Sequence, residues 1–274
     1  MRLKHTILIT GASSGIGFDA ARTLAQRGHT VYAAARRLEK MEALKAHGII
    51  PIQLDVTEEK DIQDALETIR KSHQGVDVLI NNAGCGLYGA MEDTSLEDAR
   101  YQFDVNLFGL ARLTQLVLPH MREQNFGRII NTSSVGGKIY TPLGSWYHAS
   151  KHALEGWSDC LRLEVESFGI DVVIIEPGAI VSEFGGVMAG PMLKRSGSGP
   201  YALKAQNMAG TLEREMNNGG GSHPRVISKL MIKATEASKP KTRYAKGKWA
   251  KPLLFMRHWF SDRFFDRIIK RMIR

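Results

Sequence analysis

Apolar residues in the first two-thirds of the chain fall into two alternating patterns. Short runs rich in Ile, Val and Leu stand at residues 5–10, 29–34, 50–54, 77–81, 127–132 and 170–176. Several are nearly continuous rather than alternating, as expected of strands whose sheet is covered on both faces. Between them, apolar positions three and four apart predict amphipathic helices at 16–26, 38–46, 58–71, 95–121 and 145–168. Such alternation winds a parallel sheet, because parallel neighbours need long crossovers. The expectation is a single α/β domain with a doubly wound parallel sheet and helices on both faces. Residues 1–182 would form its cofactor-binding and catalytic core, 183–225 a substrate lid and 226–274 a basic helical C-terminal extension.

The periodicity lapses over residues 184–223, where Gly, Ser, Pro and Met dominate and only 202–216 suggests a short helix. It returns at 259–273, with Phe260, Phe264, Phe265, Ile268, Ile269, Met272 and Ile273 over one broad side and basic residues on the other. That helix has the character of one lying on an anionic membrane surface. The preferred reading is that it closes the substrate pocket or packs on a neighbouring subunit. No run approaches the roughly 18 apolar residues a spanning helix requires. The first apolar run leads directly into a glycine-rich turn and reads as a strand rather than a signal peptide.

Net charge is +9, from 37 Lys and Arg against 28 Asp and Glu. The excess is local: eleven Lys or Arg lie between Lys239 and Arg271, against only Asp262 and Asp266. No nucleic-acid partner is expected from it. Two cysteines, Cys85 and Cys160, supply neither a disulfide framework nor a four-cysteine metal site, which suits a reducing, cytoplasmic setting. Cys85, after the Asn81-Asn82-Ala83-Gly84 turn, either lines the pocket or is a small buried filler, the second being the preferred reading. His148 and His152 have a chelating i, i+4 spacing but no third ligand, so no metal is expected.

Chemistry concentrates where predicted strands end. Thr10-Gly11-Ala12-Ser13-Ser14-Gly15-Ile16-Gly17 joins the first strand to the first helix. Glycines there let backbone approach a pyrophosphate, and the helix N-terminus attracts its charge. The second strand closes on Ala35-Arg36-Arg37, where an NAD-binding fold places an acid for the ribose 2′-hydroxyl. Two guanidinium groups in place of that acid suit a 2′-phosphate, hence NADP(H). Asp55, with Val56 after it, either touches the adenine edge or caps the helix at Glu58. Asn81-Asn82-Ala83-Gly84 ends the fourth strand. Tyr147 and Lys151 share one helical face at i, i+4, so an ammonium would lower the phenol's pKa and let it act as acid and base. Ser134, thirteen residues earlier, offers a hydroxyl for the substrate oxygen. No Gly-X-Ser-X-Gly elbow surrounds it, which disfavours acyl chemistry.

These motifs, in this order over residues 5–182, resemble the classical short-chain dehydrogenase/reductase family, with a look similar to its hydroxysteroid and retinol dehydrogenase branch. The resemblance implies a Rossmann fold and NADP(H)-linked interconversion of a carbonyl and an alcohol. Tyr147 would be the acid/base, Lys151 would bind the nicotinamide ribose, Ser134 would orient the reacting oxygen, and Asn106 would hold a relay water, although by its residues alone Asn106 could equally be a structural residue that kinks its helix. Pro177, Gly178, Ile180 and Ser182 would flank the nicotinamide, with Ser182 where the family usually has threonine. The Met-rich lid and residues 146–149 suggest a medium to large hydrophobic substrate, and a homodimer or homotetramer is expected. The competing readings are a catalytically silent NADP-sensing regulator and a peripheral membrane protein that works through its tail.

Overall fold

Alternate residues of the first strand face opposite ways, and both sides are dry. In the computed structural model, which describes residues 4–181, 183–217 and 220–273, Ile7 and Ile9 of β1 (Thr6–Thr10) join one apolar cluster and Leu8 joins another. The first cluster takes in α1 (Gly15–Gln26) and the second takes in α2 (Glu59–Ser72). Burying both faces is why this five-residue strand carries three consecutive large aliphatics between two threonines.

The strands β2 (Thr30–Ala35), β3 (Ile50–Gln53), β4 (Val78–Asn81), β5 (Gly127–Thr132) and β6 (Ile170–Pro177) lie within two residues of their predicted ends. A further strand, β7 (Arg243–Lys246), stands inside the tail expected to be helical. Every pairing in the sheet is parallel, in the order β3-β2-β1-β4-β5-β6-β7. The winding reverses between β1 and β4, so the carboxyl ends of these two strands open a crevice of the kind that binds ligands.

Two departures from the predicted helices have local causes. Residues 38–47 form a 3-10 helix, because Leu38, Met41 and Leu44 repeat every third residue and so line up on a three-residue turn. The helix expected over 95–121 is two, α3 (Leu96–Phe103) and α4 (Gly109–Glu123), joined by a π turn over Asp104–Phe108. Asn106 in that turn is fully buried and bonded to a neighbouring loop, which holds the extra residue in place. Then α5 (Ser145–Val165) follows the predicted span and ends in a 3-10 turn.

The lid is more helical than its composition suggested, with α6 (Glu183–Ser196) and α7 (Ala202–Leu212) where one short helix was expected. Part of the predicted extension belongs to the sheet: α8 (Arg225–Glu236) buries Ile227, Met231 and Ile232 beside α1. The rest forms α9 (Ala250–Trp259) and α10 (Asp262–Met272). Phe265 and Ile269 of α10 pack with Val135, Ile139 and Leu253, and the Tyr140 ring meets Phe265 edge-on at 5.3 Å. The tail therefore closes over the loop that follows β5. No described helix is long and apolar enough to cross a membrane.

Candidate active site

The crevice holds a cavity of about 490 Å³, and most of the candidate residues line it. Its floor begins where β1 turns. Gly11 sits at φ +65°, and a Cβ there would come 2.8 Å from the Cα of Ala83, so only glycine fits. Gly17 has a different part. A Cβ on it would come 2.5 Å from the Gly11 carbonyl and 2.6 Å from Asn82 Nδ2, so it lets α1 pack under the loop and does not face the cavity. Thr10 Oγ1 accepts from the backbone N–H groups of Asn82 and Ala83, both at 3.0 Å, and Asn82 Nδ2 donates to the carbonyls of Thr10 and Gly11. These bonds weld the ends of β1 and β4 into one surface.

Ser14 occupies the N-cap of α1 in an extended conformation, but its side chain makes no capping bond. Ser13, Ser14, Gly15 and Ile16 line the cavity, which presents the positive end of the helix dipole to it. Ala35, Arg36 and Arg37 continue the wall. Arg36 is two-thirds exposed, donates to the Tyr101 hydroxyl at 2.9 Å and stands 3.9 Å from Asp55. Arg37 donates to Ser13 Oγ at 3.5 Å. Asp55 lines the cavity beside Leu54 and Val56, and its Oδ1 accepts from the backbone N–H and hydroxyl of Thr57, ahead of α2, so it does not cap that helix.

The opposite end is dry. Tyr147 is 8% exposed and Lys151 5%, and both line the cavity with Ser134, Gly84, Pro177, Gly178 and Ile180. Ser134 Oγ accepts from the Gly136 N–H at 3.0 Å and is hydrogen-bonded to the Tyr147 phenol. Lys151 Nζ donates to the Thr132 carbonyl at 2.9 Å. The phenol does not move in the direction expected from sequence. Burial raises its pKa, and the Ser134 hydrogen bond only partly offsets this. Burial likewise pulls Lys151 down to about 8, partly opposed by Cys85 and Glu155. Desolvation outweighs pairing for both groups, so Tyr147 is a protonated phenol at neutral pH.

Asn106 lies in the π turn with its side chain committed to a neighbouring loop. Its Oδ1 accepts from the Cys85 N–H at 2.9 Å, and its Nδ2 donates to the Cys85 carbonyl and to Ser150 Oγ. The side chain clamps the segment after Gly84 and does not line the cavity. Cys85, expected to be a filler, does line it, as a thiol that burial pushes up to about 11. Ser182 lies outside the described residues. Among the described residues, no His, Cys, Asp and Glu cluster could hold a metal. His148 is instead buried and neutral, pulled down to about 4, with Nδ1 2.9 Å from the Gly136 carbonyl.

Sequence reasoning missed most of the substrate-side wall. Tyr88 stacks obliquely on Tyr147 at 5.7 Å, and Met188, Leu212, Trp249 and Leu253 complete the surface. Ile273, near the end of the chain, packs on the same cluster. Trp146, expected here, instead lines a separate groove beside Phe103. Only the apolar character of the lid and tail hinted at this wall, because its residues come from five separated segments.

Comparison with known proteins agrees with the geometry. The family profile described as short chain dehydrogenase matches residues 5–188. The 3-ketodihydrosphingosine reductase of Bacteroides thetaiotaomicron is 35% identical over 257 residues, 93% of each chain. The closed form of a serine dehydrogenase complexed with NADP+ superposes with a TM-score of 0.77 at 28% identity, over 88% of this chain and 94% of that one. A short-chain dehydrogenase/reductase from Burkholderia phymatum in complex with NAD gives 0.77 at 25%, over 88% and 89%. With its reversing parallel sheet, glycine turn and Ser134-Tyr147-Lys151 set in one crevice, the chain belongs to the short-chain dehydrogenase/reductase family of oxidoreductases.

Proposed function

We propose that this oxidoreductase uses NADP(H) to reduce the carbonyl of a medium to large hydrophobic ketone or aldehyde, and to oxidise the alcohol in reverse. One observation carries the reading: Ser134, Tyr147 and Lys151 share a single cavity with an uncapped helix N-terminus and a pair of arginines. The chain's own groups suit the cofactor. Backbone at Gly11, Ser14, Gly15 and Ile16 would hold the pyrophosphate, Arg36 and Arg37 the 2′-phosphate, and Gly84, Lys151, Pro177, Gly178 and Ile180 the nicotinamide half. Relatives with NADP+ and with NAD stand equally close, so the arginine pair, not the likeness, supports the phosphate.

When bound, NADP(H) supplies the hydride. Ser134 holds the carbonyl oxygen, and Tyr147 donates its proton to that oxygen as negative charge grows there. A buried phenol that keeps its proton at neutral pH suits this donor role, because an alkoxide is far more basic than a phenolate. Lys151, one helical turn on, places an ammonium near the phenolate that forms. The wall of Tyr88, Met188, Leu212 and Leu253 excludes water and receives apolar substrate. The homodimer or homotetramer expected of the family would bury the groove formed by Leu96, Phe103, Phe108 and Trp146.

Purified protein is assayed for NADPH oxidation against a panel of hydrophobic ketones and aldehydes. Turnover on some members is expected. Tyr147→Phe should lower it about 10²–10⁴-fold while NADPH affinity changes less than about threefold. Binding of NADPH without turnover on any carbonyl would favour a sensor, and full activity in the Phe variant would overturn the mechanism.

A further inference from the structure

We infer that the corner between α9 and α10 is a docking surface for an anionic lipid bilayer. The apolar stripe on α10 is not that surface, because Phe265 and Ile269 turn inward and are 0% and 4% exposed. A different set of side chains is left outside. Phe255 is 58% exposed, Trp259 69% and Phe260 43%. Their rings touch, with centroids 6.5 Å apart for Phe255 and Trp259 and 6.4 Å for Phe255 and Phe260, and Phe260 stacks on Phe264 at 4.6 Å. A contiguous aromatic patch on the outside of a protein marks a contact surface. Indole and phenyl rings of this kind favour the headgroup layer of a bilayer.

Charge selects the occupant. Between Ala250 and Ile273 the chain carries six Lys or Arg against two Asp. Lys251, Arg263, Arg267, Lys270 and Arg271 are exposed. Both acids are engaged: Asp262 pairs with Arg257 at 2.6 Å, and Asp266 accepts from the Tyr140 hydroxyl at 3.1 Å. An aromatic centre with a cationic rim is complementary to negative headgroups lying over hydrocarbon. The groove proposed for subunit contact is built from other elements, α3 to α5. On its inner side α9 lines the cavity through Leu253, which puts the patch about one helix diameter, ~10 Å, from the apolar end of the site.

The test is flotation of the full chain with vesicles of phosphatidylcholine alone or mixed with phosphatidylserine. The expected result is binding to the mixed vesicles that weakens as sodium chloride is added. A Phe255→Ser, Trp259→Ser double variant should bind about tenfold more weakly, and so should Lys270→Glu, Arg271→Glu. Melting temperature and NADPH affinity, which these substitutions leave unchanged, verify the fold. Failure to float with mixed vesicles at low salt overturns the inference, as does undiminished flotation of the aromatic variant. Sedimentation velocity supplies a further arm: if the wild type alone forms a larger species and neither protein floats, the patch seats a second copy instead. Because flotation needs no turnover, its failure is separable from failure of the catalytic reading.

Discussion

The two ends of the cavity are built on opposite plans. At the arginine end, Arg36 is two-thirds exposed and the wall comes from the short turns that follow the first three strands, Gly11 with 13–16, 35–37 and 54–56. At the tyrosine end Tyr147 and Lys151 are almost fully buried, and the wall gathers side chains from the β4 loop, α5, the lid and α9, with Ile273 packed on the same cluster. The first plan suits the pyrophosphate that NADP and NAD share, since glycines and N–H groups bind phosphate with little regard to surrounding sequence. The second suits a ligand that differs between relatives, since a side-chain wall can be rebuilt one residue at a time.

The contrast can be broken at either end. After the loss already expected of Tyr147→Phe, the largest remaining effect is expected at the exposed one. A charge-assisted contact is worth about 1.5–3 kcal/mol, roughly tenfold to 150-fold in affinity. Arg36→Asp should raise the Michaelis constant for NADPH by such a factor and that for NADH far less. Equal changes for both nucleotides would show that Arg36 reads no phosphate.

A smaller effect is expected at the buried end. Leu253→Ala removes apolar surface from the substrate wall, and kcat/KM for a hydrophobic carbonyl should fall about tenfold with the constant for NADPH unchanged. If cofactor affinity fell equally, the two ends would not be separable.

The smallest effect concerns stability. At the end of β6, burial and the neighbouring Glu155 push Glu176 up to about 7. The folded protein then holds a proton that the unfolded chain has released, so stability is lost as pH rises from about 4.5 to 7. Thermal melting of Glu176→Gln should therefore gain on the wild type across that interval. Parallel melting curves would mean that Arg243, 3.6 Å from Glu176, fully compensates the buried charge.

The contrast also explains what was legible in sequence. Six strands and the glycine turn were readable because each is encoded by adjacent residues: a continuous aliphatic run, or glycine where a Cβ would strike Ala83. The seventh strand was not. Arg-Tyr-Ala-Lys buries only Tyr244, lies inside a run of positive charge, and is held by pairing to β6 and by Arg243 bridging to Glu155 and Asp159. The break at Asn106 was legible only as one of two readings, since its cause is a loop twenty residues upstream.

By itself the sequence determined the parallel sheet, the glycine turn at the start of the first helix, the arginines in place of an acid, and the serine, tyrosine and lysine that share the cavity, all of them set by neighbours along the chain. Tertiary structure alone decided the direction of the Tyr147 shift, the clamp made by Asn106, the composition of the substrate wall and which aromatic rings of the tail meet solvent. Each of these depends on burial, and burial is a property of what other segments bring near, which no local pattern of residues contains.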